Sequence, residues 1–136
     1  MKLFFRIASM ILLLINGLGA FYGGLKLIID PSGGGLQLPL SYLERSPFSD
    51  YLIPGIILLS VNGILSFVAM VLLLLNHRRY PLFLMIQGVL LAGWISIQML
   101  LLWMFYAPLH LPFLLIGLFL LIAGISLKRR DKVNNQ

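Results

Sequence analysis

Four long apolar stretches, separated by short polar breaks, constrain this chain more than any other feature. They run from about Ile7 to Ile29, Tyr51 to Leu75, Leu82 to Phe105 and Leu111 to Leu127. A bilayer's hydrocarbon core is roughly 30 Å thick, and a helix needs about 20 apolar residues to cross it. The fourth stretch is the shortest, but Pro108 and Pro112 fit its first turn, where a missing N–H costs little. Strand-like alternation is absent, and runs such as Met70 to Leu75 are continuously apolar. Hydrocarbon offers an open backbone no hydrogen-bond partner, so helices are expected. The expected fold class is all-α: a polytopic membrane four-helix bundle forming one integral membrane domain over 1–136, with spans at 7–29, 51–75, 82–105 and 111–127, an outer loop at 30–50 and a basic tail at 128–136.

Composition removes the alternatives. The 136 residues are 60% hydrophobic and 10% charged, whereas a soluble domain carries about a quarter charged residues. Disorder needs the opposite balance, low hydrophobicity with high charge. With zero cysteines, a disulfide framework, a thiolate metal site and a thiol–disulfide relay are all excluded. Small four-helix quinone-linked oxidoreductases, which depend on paired cysteines, go with them. The sequence pI near 10.1 points to loops facing anionic lipid. Nucleic acid is not an expected partner, because no soluble domain is left to present a basic patch.

The basic residues orient the helices. Lys2 and Arg6 precede the first span, Arg78 and Arg79 lie between the second and third, and Lys128, Arg129, Arg130 and Lys132 follow the fourth. Eight of the ten basic residues thus share one side. The positive-inside rule then places both termini in the cytoplasm of a cell (inner or plasma) membrane. Lys2 and Arg6 before Ile7 to Ile15 also resemble a signal peptide. Apolar character continues to Ile29, however, and Leu18 stands where a cleavage site before Phe21 would want a small residue. An uncleaved first helix is expected.

The outer loop is patterned. Asp30-Pro31-Ser32-Gly33 suits a type I turn, and Gly33-Gly34-Gly35 supplies a flexible joint. Ser41 and Glu44 have capping-box spacing, which predicts a short helix around Tyr42 to Arg45. Ser46-Pro47 reads as a second helix start, and Pro54-Gly55 either kinks the second span or marks its beginning near Asp50. Leu36, Leu38, Leu40, Leu43 and Phe48 keep the segment on the membrane surface or over the bundle end. It is a lid over a ligand or, the preferred reading, a loop that seals the bundle. Lys26 can snorkel to the interface and pair with Asp30; the alternative is an outer charge cluster of Lys26, Asp30, Glu44 and Arg45 that holds an anionic head group. Tyr51, Trp103 and Tyr106 fit an outer aromatic belt, and Phe4, Phe5 and Tyr80 an inner one.

Intramembrane polar groups are costly and tend to face the bundle interior. Asn16, Asn62 and Trp94 fall near the middle of the first three spans. Gln98 lies one turn outward of Trp94, about 6 Å along the axis, and Gln87 two turns inward. A network joining Asn16, Asn62, Trp94 Nε1 and Gln98 is expected, with Gln87 on nearly the same helix face. It acts as glue between helices or as a polar site for a ligand head group in an apolar pocket. Ser60 and Ser66 are weaker signals, since either hydroxyl can bond its own helix. Gly19 and Gly23 have GxxxG spacing, flanked by Gly17 and Gly24. Gly88, Ala92, Gly117 and Gly124 are expected to serve close packing in the same way.

Catalytic groups are sparse. His77 and His110 fall in turns on opposite sides of the membrane, which excludes a shared metal. No acidic residue lies inside a span, unlike the proton-coupled small multidrug-resistance exporters. No cofactor is expected.

The combination of Gly23-Gly24, Asp30-Pro31-Ser32-Gly33, Ser46-Pro47-Phe48, Pro54-Gly55 and Trp94 to Gln98 resembles a group of small four-span bacterial membrane proteins with no established activity. At the level of fold the chain is similar to DoxX-like membrane proteins, which are four-helix bundles. The resemblance covers most of the chain and implies a fold without implying a mechanism. The leading expectation is a non-enzymatic membrane module that binds a lipid-like molecule, such as an isoprenoid, self-associates, or accompanies another membrane protein. The rival is a small transporter or channel with the asparagines and glutamines along its path. In that reading Ser126 is the fourth helix's lone hydrogen-bonding side chain between Leu111 and Leu127.

Overall fold

The computed structural model describes residues 2–36, 40–44, 46–102 and 107–134. It is all-helical over those residues, apart from turns and loop. Four long helices, α1 (Lys2–Ile29), α2 (Leu52–Leu74), α3 (Tyr80–Leu102) and α4 (Ala107–Asn134), are each long and apolar enough to cross a membrane. Helix α1 packs against α2 and α4, and α3 packs against α2 and, most extensively, α4. The start of α1, the α2–α3 turn and the end of α4 meet in one apolar cluster, where Leu13, Leu73, Tyr80, Leu84, Leu120 and Leu127 are buried and Phe5 packs against them.

The helices overrun their apolar stretches. Helix α1 begins at Lys2, and α4 continues through the basic segment to Asn134. Intrahelical hydrogen bonding does not stop where hydrocarbon ends, so hydropathy marks a membrane crossing rather than helix limits. Because α4 begins at Ala107, Pro108 sits in its first turn while Pro112 lies inside the helix. There Pro112 removes one backbone bond, a defect that membrane helices tolerate.

Helix α2 is not uniform. Its middle, Leu58–Ile64, is wound as a π-helix, with Leu65 N–H donating to the Ser60 carbonyl five residues back. The sequence offered a kink or a helix start at Pro54-Gly55, whereas the irregular winding begins just after it. Beside this segment α1 and α2 approach closely at glycines. A Cβ on Gly24 would stand 2.8 Å from Leu59 Cβ, and one on Gly55 would stand 2.7 Å from Leu27 Cβ. Gly19, half of the expected GxxxG pair, has only an ordinary 3.8 Å contact with Phe113. The crossing therefore uses Gly24 rather than the Gly19 face. For α3 and α4 the expected glycines serve: a Cβ on Gly88 would meet the Gly117 carbonyl at 2.5 Å.

The connections follow local chemistry. Helix α2 ends in a Schellman arrangement, with His77 N–H on the Leu72 carbonyl (2.9 Å) and Asn76 N–H on the Leu73 carbonyl (3.1 Å). Asn76 takes the left-handed conformation this requires, φ 53°, as asparagine does at helix ends. Arg6 locks the turn to α1, donating to Asn76 Oδ1 and the Leu73 carbonyl, with its guanidinium 4.8 Å from the Tyr80 ring centre. Tyr80 is thus buried instead of standing in an inner belt.

In the α1–α2 loop, Gly33 N–H closes the expected turn on the Asp30 carbonyl at 3.1 Å. The capping box does not form. Ser41 lies inside a 3-10 turn, Leu40–Leu43, and Glu44 follows it, exposed. Four residues are too few for a helix start in which serine and glutamate cap each other. Ser46 shapes the chain locally, donating to the Leu43 carbonyl and accepting from Phe48 N–H, while Asp50 Oδ1 caps α2 through Leu52 N–H. Tyr51 also leaves its expected belt: it is buried with Leu27 and Leu43, against Phe48 and Leu58, and its N–H bonds the Pro31 carbonyl. This apolar plug closes the loop end of the α1–α2 pair. Trp103, Phe105 and Tyr106 lie outside the described residues.

Candidate functional site

Polarity is distributed inside-out. Outward-facing side chains such as Ile11 (53% exposed) and Ile122 (59%) are apolar, while Ser9, Asn16, Asn62, Ser66, Gln87 and His110 are buried. Water favours the reverse pattern; hydrocarbon favours this one.

Three of the expected site residues meet. Asn16 on α1 donates from Nδ2 to Ser66 Oγ (2.8 Å) and to the Asn62 backbone carbonyl (3.3 Å) on α2. Gln87 on α3 donates from Nε2 to Asn62 Oδ1 at 3.2 Å. The π-helical segment contributes directly, since Asn62 lies within it and offers both its carbonyl and its side chain. Asn62 and Gln87 are fully buried, yet Asn62 Nδ2 and Gln87 Oε1 have no partner among the described residues. The cluster therefore presents one spare donor and one spare acceptor, with no formal charge.

Trp94 and Gln98 do not join this cluster. Both are half-buried, and neither side chain makes a hydrogen bond among the described residues. Trp94 lies seven residues beyond Gln87, about 10 Å along the axis, and Gln98 about 16 Å. Taking each span's midpoint as a common depth placed Trp94 opposite Asn62. The actual register of α3 follows its close glycine contacts with α4, which bring Gln87 to that level. Ser66 is the residue undervalued by sequence reasoning. Its seat four residues after Asn62, on the same helix face, was the available signal.

The expected Lys26–Asp30 pair is replaced by more local contacts. Asp30 turns its carboxylate onto Ser32, accepting from both N–H and Oγ. The Ser32 hydroxyl, above all, holds the Asp30 carboxyl below its ordinary value. Lys26 instead places its ammonium 5.6 Å from the Tyr22 ring centre. Arg45 lies outside the described residues. Local turn chemistry outcompetes the Lys26–Asp30 pair because Ser32 is already within reach of the carboxylate. His110, expected in a turn, is buried within α4 and engaged there.

An open apolar groove of about 330 Å³ runs along the outside of the bundle between Phe21 on α1 and Ile64, Phe67, Val68, Val71 and Leu72 on α2. The Phe21 and Phe67 rings contact each other at 5.3 Å. No group of three or more histidine, cysteine or acidic residues among those described could hold a metal.

Fold and site together define a class: an all-helical protein with four helices fit to span a membrane and an amide cluster buried between three of them. No family model, curated protein or solved structure matches the chain.

Proposed function

We propose that this protein is a non-enzymatic integral membrane module, which binds a lipid-like molecule or accompanies another membrane protein. Its seat is a cell membrane, with both termini cytoplasmic, as the positive-inside rule requires. The observation that carries the reading is the Asn62–Gln87 pair. It is buried and uncharged, with one donor and one acceptor left over, suited to a hydroxyl or carbonyl head group and to no charged substrate. Native mass spectrometry of the purified protein tests it. Retention of a lipid or isoprenoid is expected, with occupancy lowered by Asn62→Leu and Gln87→Leu but not by Gln98→Leu.

A second reading, a small transporter or channel, draws on the π-helical segment, since such segments recur at functional sites. Bare protein in the spectrometer, together with solute flux into proteoliposomes that Asn62→Leu abolishes, favours that reading over the first.

A further inference from the structure

Helix α4 carries a second candidate site, on the face opposite its core. Leu120, Ala123, Gly124 and Leu127 are buried against the bundle. Ile122, Ile125, Ser126, Arg129 and Arg130 recur at helical spacing on the other side and line an outward groove of about 440 Å³. From Ile122 to Arg130 the stripe spans about 12 Å, passing from apolar through hydroxyl to cationic. The apolar stretch ends at Leu127, so the two guanidiniums stand at the depth of lipid head groups. Asp131 falls at the helical register of Leu127, off the stripe.

We infer that this face is a binding site for an anionic phospholipid, a reading that rests on the membrane placement proposed above. Arg129 and Arg130 hold the phosphate, for which the guanidinium's planar fork of donors is suited. Ser126 Oγ can reach the ester or glycerol oxygens, and Ile122 and Ile125 carry the first part of an acyl chain. Charge complementarity commits the site to this occupant. A zwitterionic lipid also offers a phosphate but sets its own cation beside the two guanidiniums, and a soluble anion would leave the isoleucines uncovered. Arg78 and Arg79, also exposed, sit in the α2–α3 turn rather than along one helix face.

The test is lipid retention by the full chain, purified from mixed micelles of phosphatidylglycerol and phosphatidylcholine and read by native mass spectrometry. Preferential retention of phosphatidylglycerol is expected. Arg129→Gln/Arg130→Gln should lower it roughly 25-fold, since each cation beside an anionic head group contributes a factor of about five. Arg78→Gln/Arg79→Gln should change it less than about twofold, and Arg129→Lys/Arg130→Lys should keep part of it. Equal retention of phosphatidylcholine overturns the assignment, as does an equal loss in the two glutamine variants or displacement by inorganic phosphate alone. The amide-cluster reading fails on a different result, loss of the copurified lipid or isoprenoid, whereas Arg129→Gln/Arg130→Gln reads the phosphatidylglycerol preference alone, so the two failures are distinguishable.

Discussion

A double-mutant cycle between Asn62 and Gln87 tests the centre of the bundle most directly. One hydrogen bond of 3.2 Å joins the two amides, and both residues are fully buried. Hydrogen bonds between membrane helices average about 0.6 kcal/mol and reach about 1.7. Asn62→Ala opens a small cavity, and Gln87→Met keeps the unbranched shape while deleting the amide. Each single change also strands part of its partner, at about 1–3 kcal/mol per unsatisfied group, offset by the orphaned atom it removes. The cavity term cancels in the cycle, whereas the stranding terms add to the coupling, which should therefore be at least about 0.6–1.7 kcal/mol. The measurement is reversible unfolding in mixed micelles for the wild type, both single variants and the double variant. A parallel cycle with Asn62→Ala and Gln98→Met should be additive to within about 0.5 kcal/mol, as for sites without a shared partner. Additivity of the Asn62–Gln87 pair, with coupling of Asn62 to Gln98, would refute the register of α3.

Three further outcomes follow from the packing and the turns. Gly88→Ala should destabilise by about 1–3 kcal/mol, because the new methyl meets backbone of α4 on two sides, Gly117 and Leu121. Gly93→Ala, with nothing within 4 Å, should be neutral or stabilising by up to about 1 kcal/mol; thermal unfolding in detergent separates the two. Arg6→Ala removes two hydrogen bonds and a cation–π contact at the α2–α3 turn, and should speed hydrogen exchange at Asn76 and His77 while leaving Gln87 protected. For Asp30 the folded-state carboxyl lies below its ordinary value of 3.8. Its contribution to the turn is therefore complete above that pH and is lost as pH falls through the lower folded value. Amide exchange at Ser32, followed by mass spectrometry and corrected for intrinsic rates, should rise only in that acid range, and Asp30→Ala should abolish the pH dependence.

Much of the architecture was legible because the bilayer imposes a coarse rule. Length and apolar character announce a crossing, and an amide at mid-span has few places to go but inward. That reasoning found Asn16 and Asn62, the glycines of the α3–α4 contact and the turn at Asp30, but set Trp94 and Gln98 in the network where Gln87 stands. It failed where two local preferences competed at one residue. Asp30 prefers the nearby Ser32 to Lys26, and Ser41 with Glu44 has capping spacing but no helix to cap.

By itself the sequence determined four apolar helices, a greasy loop between the first two and a chain too poor in charge for water, since these follow from composition and spacing alone. Tertiary structure decided the axial register of α3, the π-helical segment of α2, and hence which amides meet. Those depend on how closely two backbones approach at Gly24, Gly55, Gly88 and Gly117. Such contacts arise between residues far apart in the chain, and no local pattern encodes their depth.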